Sequence, residues 1–168
     1  MIRWTAVMFA VLLAGCSSVL TLPAQQRDAT GQLVIGESGG SLTGAYSGTE
    51  TGGNICALLN TFTFSGRGAA TFLRRSTESG SMTWNTGFSC NLRGSATITS
   101  IRNPANSVTV FLRGSVQPCD PRHPVSYTVS GGTGRFAHAS GSGSVQFACP
   151  NNAGGGNYTD QWSGTLTF

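Results

Sequence analysis

The sequence predicts an all-β protein: an eight-stranded antiparallel up-and-down β-barrel, preceded by a signal peptide and a tether. Three observations carry this expectation. From Ser41 onward apolar and polar residues alternate in short runs, as in Val108, Val110 and Leu112 or Trp162, Gly164, Leu166 and Phe168, with serine and threonine between them. That is the period of strands with one buried face. Glycine is abundant, 24 of 168 residues, while charge is sparse at 10%; this suits an exported β-protein and leaves no long helical pattern. Finally, glycine and proline clusters punctuate the runs where turns are needed. The length allows one domain with a core of its own.

The first element is not part of the fold. Met1-Ile2-Arg3 gives a positive start, and Trp4 to Leu13 is an apolar run too short to span a bilayer as a permanent helix. Leu13-Ala14-Gly15-Cys16 resembles the bacterial lipobox, which implies cleavage before Cys16 and a lipid on that cysteine. Residues 1–15 then form the signal peptide. Ser17, in place of aspartate, implies passage to the outer membrane in the Gram-negative version of this signal. Residues 16–40, with Pro23, Gln25, Gln26, Asp28, Gly31 and Gly39-Gly40, lack a sustained period and read as a lipidated tether. Leu33-Val34-Ile35 is either a short strand or a contact laid on the barrel.

The barrel domain is expected over 41–168, with strands near 41–48, 57–76, 81–88, 92–102, 107–117, 125–130, 135–148 and 159–168. Glu78-Ser79-Gly80, Asn103-Pro104-Ala105-Asn106 and Gly131 to Gly134 supply the turns. Gly66-Arg67-Gly68 reads as a bulge in one long bent strand. The last turn belongs to a hairpin running from Tyr127 to Phe147. On its returning strand Ala137, Ala139, Gly141, Gly143, Val145 and Phe147 share one face, and His138, Ser140, Ser142, Ser144 and Gln146 the other. An inward face of alanine and glycine suits a curved wall that a large aromatic must approach closely.

Within that hairpin, Gly131-Gly132-Thr133-Gly134-Arg135-Phe136, followed by Ala137-x-Ala139-x-Gly141, resembles the signature of dirigent proteins, plant allene oxide cyclases and the bacterial secreted proteins similar to them. The match covers Gly131 to Gly143, with a weaker echo from Phe64 to Leu73. The resemblance implies an eight-stranded antiparallel barrel of the calycin kind. His138 departs from it, since relatives commonly have glycine there. No catalytic residue carries over, because the polar groups such barrels use inside cannot be matched to positions here.

With Cys16 assigned to lipid, Cys56, Cys90, Cys119 and Cys149 remain, an even number in a chain that leaves the cytoplasm. Strands running up and down in order place the tight turns at one rim and all four cysteines at the other. Two disulfides are expected, Cys56 with Cys90 and Cys119 with Cys149, with Cys90 to Cys119 as the alternative, each worth about 3 to 4 kcal/mol in the chain-entropy model. Their spacing contains no Cys-x-x-Cys pair, so no metal site is expected.

All ten basic residues are arginines spread along the chain, with a formal net charge of +4. No basic cluster with aromatic partners is visible, so nucleic acid is not an expected partner. The acids Asp28, Glu37, Glu50, Glu78, Asp120 and Asp160 fall nearly all in tether or loop positions. Asp120 and His123, in a proline-bracketed loop, can orient one another as an acid/base pair or supply two metal ligands; a polar loop bent by prolines is the simpler reading. His138 reads as an exposed strand residue. The turn at Gly132 to Gly134 lacks the third glycine and the following helix of a dinucleotide fingerprint. Asn157-Tyr158-Thr159 matches the glycosylation pattern by accident in a bacterial chain.

The expected protein is therefore a bacterial envelope lipoprotein with no cofactor, lipid-anchored at the outer membrane and facing the periplasm, with a structural or interaction role. The alternative is a barrel that binds a small, mostly apolar ligand lined by Phe62, Phe64, Phe72, Trp84, Phe111, Tyr127 and Trp162. A second alternative is an enzyme of the cyclase or isomerase kind that holds a reactive substrate in one conformation. Fold alone does not choose among them.

Overall fold

Alternation of the kind seen here forces each strand to bury one face, and eight such strands bury them together by curling the sheet until its edges meet. The computed structural model describes residues 38–52, 59–85, 91–114, 122–149 and 155–168. They form β1 (Gly39–Gly52), β2 (Leu59–Ala70), β3 (Arg74–Asn85), β4 (Leu92–Ser100), β5 (Ser107–Gly114), β6 (Val125–Thr133), β7 (Ser142–Ala148) and β8 (Gly155–Thr167), with a 3-10 turn at Gly134–Phe136. Each strand pairs antiparallel with the next, and β8 closes on β1 through a register running from Gly39 opposite Thr167 to Thr51 opposite Gly155. Residues 37–168 form one compact unit in which every strand has both neighbours. The signal peptide, Cys16 and the tether as far as residue 37 lie outside the described residues, and Gly39 and Gly40, expected to end the tether, open β1 by pairing with β8.

The interior is apolar on one side, filled by Ile98, Val108, Val110, Leu112, Val129 and Val145, all buried. Outside, serine and threonine face one another across the strands. Hydroxyl pairs at Thr61 and Thr83 (3.0 Å), Thr51 and Thr63 (2.9 Å), and Thr97 and Thr109 (3.2 Å) form such rungs. This is the inverse of a wall that faces hydrocarbon.

Two boundaries differ from the alternation-based expectation. The chain does not run as one bent strand over 57–76 and then turn at Glu78-Ser79-Gly80. It turns at Thr71-Phe72-Leu73, between β2 and β3. Gly66-Arg67-Gly68 passes through β2 without a bulge, in continuous register with β1 and β3. Leu73 is buried, Thr71 donates its N–H to the Thr43 carbonyl at 2.8 Å, and Arg74 takes a left-handed φ of 59°. A turn closed on a non-glycine residue carries no glycine or proline signal. The consequence is that Glu78 sits within a strand.

The strand expected over 135–148 begins only at Ser142. Phe136 is fully buried under the end of the barrel, so the chain winds a 3-10 turn to deliver it, and Ala137 is exposed instead of inward. Val145 and Phe147 are buried, as the alternation predicts; Ala139 is buried and His138 exposed as well, but His138 lies in a turn and not on a strand. Tyr127 lies over Gly143, where an added Cβ would be 2.6 Å from its hydroxyl. That is the close aromatic approach expected of a glycine wall. Gly134 has a φ of 59°, a conformation that favours glycine.

The tight-turn rim carries the 71–73 turn, the 101–106 turn and the 134–141 crossing. It is sealed by rings: Phe168 packs edge-on against Phe136 at 4.6 Å and Phe72 at 5.2 Å. Arg135 lies over Phe136 and Phe168, 4.7 and 5.0 Å from their centroids, and donates to the Phe72 carbonyl at 2.9 Å. At the opposite rim β1 ends and β2 begins on either side of Cys56; β3 and β4 bracket Cys90, and β5 and β6 bracket Cys119. These three cysteines lie outside the described residues. Cys149 follows β7 directly and is buried.

Candidate functional site

Along β8, Tyr158, Asp160 and Trp162 share the inward face, and β1 places Tyr46 opposite Asp160 and Gly48 opposite Tyr158. On β3, Ser76 and Glu78 point inward, and Gly66 of β2 stands opposite Glu78. Two glycines thus lie between Tyr158 and Glu78 on the wall, and the Tyr158 ring crosses the gap they leave. A Cβ at Gly66 would come within 2.6 Å of its hydroxyl. Tyr158 donates a short hydrogen bond to Glu78 Oε1, and the Trp162 indole N–H donates to Glu78 Oε2 at 3.2 Å. The Tyr46 hydroxyl lies 2.7 Å from Ser76 Oγ.

Beside this arrangement sits Asp160, 2% exposed, facing Glu78, 1% exposed. Trp162 and the Tyr46 backbone are also close to it, yet no described hydroxyl or N–H donates to either of its oxygens, and the Glu78 carboxylate is the partner for its own proton. Every described arginine and histidine is exposed, so none of them enters the interior to balance the charge. Burial pushes both carboxyls above the ordinary range, and their mutual repulsion adds to it for Asp160. Three hydrogen-bonding neighbours of Glu78, Asp160, Tyr158 and Trp162, work against its rise, whereas the Asp160 charge has weaker support. Asp160 is accordingly the group that holds a proton at neutral pH. Burial likewise raises the Tyr158 and Tyr46 hydroxyls, with the nearby carboxylates adding to the effect.

A third acid, Glu50, lies on the inward face of β1 nearer the cysteine rim, and burial raises it too. Its Oε2 is 3.6 Å from Cys149 Sγ. Glu50, Tyr158, Glu78 and Asp160 thus form a polar seam on one side of an otherwise apolar interior. Chemically the seam offers hydrogen-bond acceptance, proton donation from Asp160 and charge compensation for a cation. Among the described residues there is no group of three or more histidine, cysteine or acidic side chains suited to a metal ion.

The expected lining residues divide. Phe62, Phe64, Tyr127 and Trp162 are buried inside the barrel, with Phe64 edge-on to Phe147 at 5.5 Å and to Tyr158 at 5.8 Å. Tyr127 and Trp162 meet at 5.2 Å. Trp84 is half-buried, and Phe72 belongs to the seal of the tight-turn rim. Phe111 does not line the interior: it is 58% exposed, since Val110 and Leu112 take the inward positions on either side. Of the pair considered in the proline loop, His123 is exposed and Asp120 lies outside the described residues.

The acids are the main correction. Glu50, Glu78 and Asp160 are interior strand residues and not loop residues. Parity held the signal for Asp160 and Tyr158, which are two and four positions before the inward Trp162. Glu78 was hidden by the turn reading of Glu78-Ser79-Gly80.

No family model matches the sequence, and no curated protein matches it. Among solved structures, a pyocyanin demethylase is similar at a TM-score of 0.49 and 13% identity, over 76% of this chain and 99% of that one. A likeness at that level carries no argument about chemistry.

Proposed function

We propose that this chain is a bacterial envelope lipoprotein, lipidated at Cys16 and held at the outer membrane facing the periplasm. Its barrel binds a small, mostly apolar molecule that turns a hydrogen-bond donor or positive charge toward Glu78 and Asp160. The observation that carries the reading is Asp160, buried beside the Glu78 carboxyl with no described donor reaching either of its oxygens and no described arginine or histidine in the interior. An unsatisfied buried acceptor costs about 1 to 3 kcal/mol, more when charged, and an apolar side chain of similar size would spare the fold that cost. A ligand donor satisfies the carboxyl, while Phe64, Phe147, Tyr158 and Trp162 supply apolar contact. Rings close the tight-turn rim to such a molecule. Kinship with the dirigent and allene oxide cyclase barrels, suggested by the Gly131 to Gly143 hairpin, fits this reading.

Native mass spectrometry of protein extracted from membranes without denaturant is the test. A bound small-molecule mass is expected, reduced or lost in Asp160→Asn and Glu78→Gln variants that remain folded. A bare chain throughout, with no compound raising the melting temperature, overturns the reading. The second reading is the structural or interaction protein, favoured by the filled interior between β4 and β7. The enzyme alternative would use Asp160 as proton donor beside Tyr158, and turnover lost in Asp160→Asn with binding retained would mark it.

A further inference from the structure

The described residues segregate charge. Glu50, Glu78 and Asp160 face inward, while Arg67, Arg74, Arg75, Arg93, Arg102, Arg113, Arg122 and Arg135 are all exposed. The described exterior therefore carries arginines and no acid to offset them. Four of these arginines gather at the tight-turn rim. Arg74 and Arg75 open β3, the Ile101 N–H donates to the Arg75 carbonyl at 2.9 Å, Arg102 follows, and Arg135 is clamped by its bond to the Phe72 carbonyl. Ile101, 46% exposed, places an apolar side chain among them.

The same rim receives the chain from its N-terminal side. Ser38 exchanges backbone hydrogen bonds of 2.8 and 2.7 Å with Phe168, beside Phe72 and Phe136. Residues 17–37 separate it from Cys16 in the sequence. The chain thus enters the barrel from the side of Cys16 at this rim and not at the cysteine rim.

We infer that the tight-turn rim is a docking face for a membrane surface rich in anionic phospholipid, engaged by Arg74, Arg75, Arg102 and Arg135 with Ile101 among them. The direction of docking draws on the lipidation of Cys16, but the charge argument does not. Rim docking turns the cysteine rim away from the bilayer.

The test uses the unlipidated barrel from Glu37 to Phe168, which closes all eight strands by itself. It is cosedimented with vesicles of phosphatidylcholine alone or with added phosphatidylglycerol. Partitioning is expected to rise with phosphatidylglycerol and to fall with salt. At about fivefold per arginine, Arg74→Gln with Arg102→Gln lowers it about 25-fold. Arg93→Gln with Arg113→Gln, on the side wall, changes it by less than about twofold. Equal binding to both vesicles, equal loss in the two double variants, or displacement from vesicles by a short single-stranded RNA overturns the inference. None of these outcomes reports on lipidation at Cys16 or on the interior site, which stand or fall by their own tests.

Discussion

Asp160 should make this barrel less stable as pH rises, and Asp160→Asn should relieve much of the effect. Around it stand Glu78 on β3, Tyr46 on β1, and Tyr158 and Trp162 on β8, with no cation among them. In the unfolded chain an aspartate loses its proton near pH 4. In the barrel, burial first and then the Glu78 charge push it up to about 9. Between those values the folded state holds a proton that the unfolded state has released, so stability falls with rising pH by about 1.4 kcal/mol per unit for one such group. The ceiling at pH 8 is about 5 kcal/mol, a large share of the 5 to 15 kcal/mol typical of a domain. Reorientation of the Trp162 N–H and nearby backbone toward the charge reduces it, and we expect Asp160→Asn to be about 2 to 4 kcal/mol more stable than the parent at pH 8 and within about 1 kcal/mol at pH 4. Glu78 titrates with Asp160 as a pair, so a shallower slope persists in the variant. Urea unfolding followed by tryptophan fluorescence across pH measures this. A parent stability that rises with pH, or the same slope in both proteins, refutes the assignment.

Gly66→Ala should cost about 2 kcal/mol or more, because its Cβ meets the Tyr158 hydroxyl at 2.6 Å and the Ser47 carbonyl at 2.9 Å; unchanged thermal stability would mean that Tyr158 does not cross the wall there. Gly134→Val should cost about 1 to 3 kcal/mol, from the positive φ and a contact of 2.7 Å with the Ala105 carbonyl, and a neutral variant would require the turn to be redrawn. Arg135→Ala should cost about 1 to 2 kcal/mol through its lost ring contacts and its bond to Phe72, and a melting temperature unmoved by the change would mean that these contacts do not hold the rim. Phe111→Ser should alter stability by no more than about 0.5 kcal/mol, since the ring is 58% exposed.

Strand alternation carries the fold in the sequence because it acts locally. Val108, Val110 and Leu112 announce an inward face wherever they are placed, and eight such runs leave a closed barrel as the way to bury them all. The Gly134 turn was legible for the same reason, since a left-handed position is written as glycine. The turn at Thr71 to Leu73 was not, because its conformation at Arg74 is imposed by the burial of Leu73 and the bonds of Thr71 to a strand far away in sequence. That one displaced turn concealed the site. Glu78 belongs to a turn by composition and to the interior by register, and only the pairing of β2 with β3 decides which. Its meeting with Asp160, some eighty residues further along, depends on β8 closing against β1 and on glycines at 48 and 66 leaving room for Tyr158 to span them. Short-range pattern determined the strands and the barrel; closure buried distant acids beside one another, and that burial raises their carboxyls.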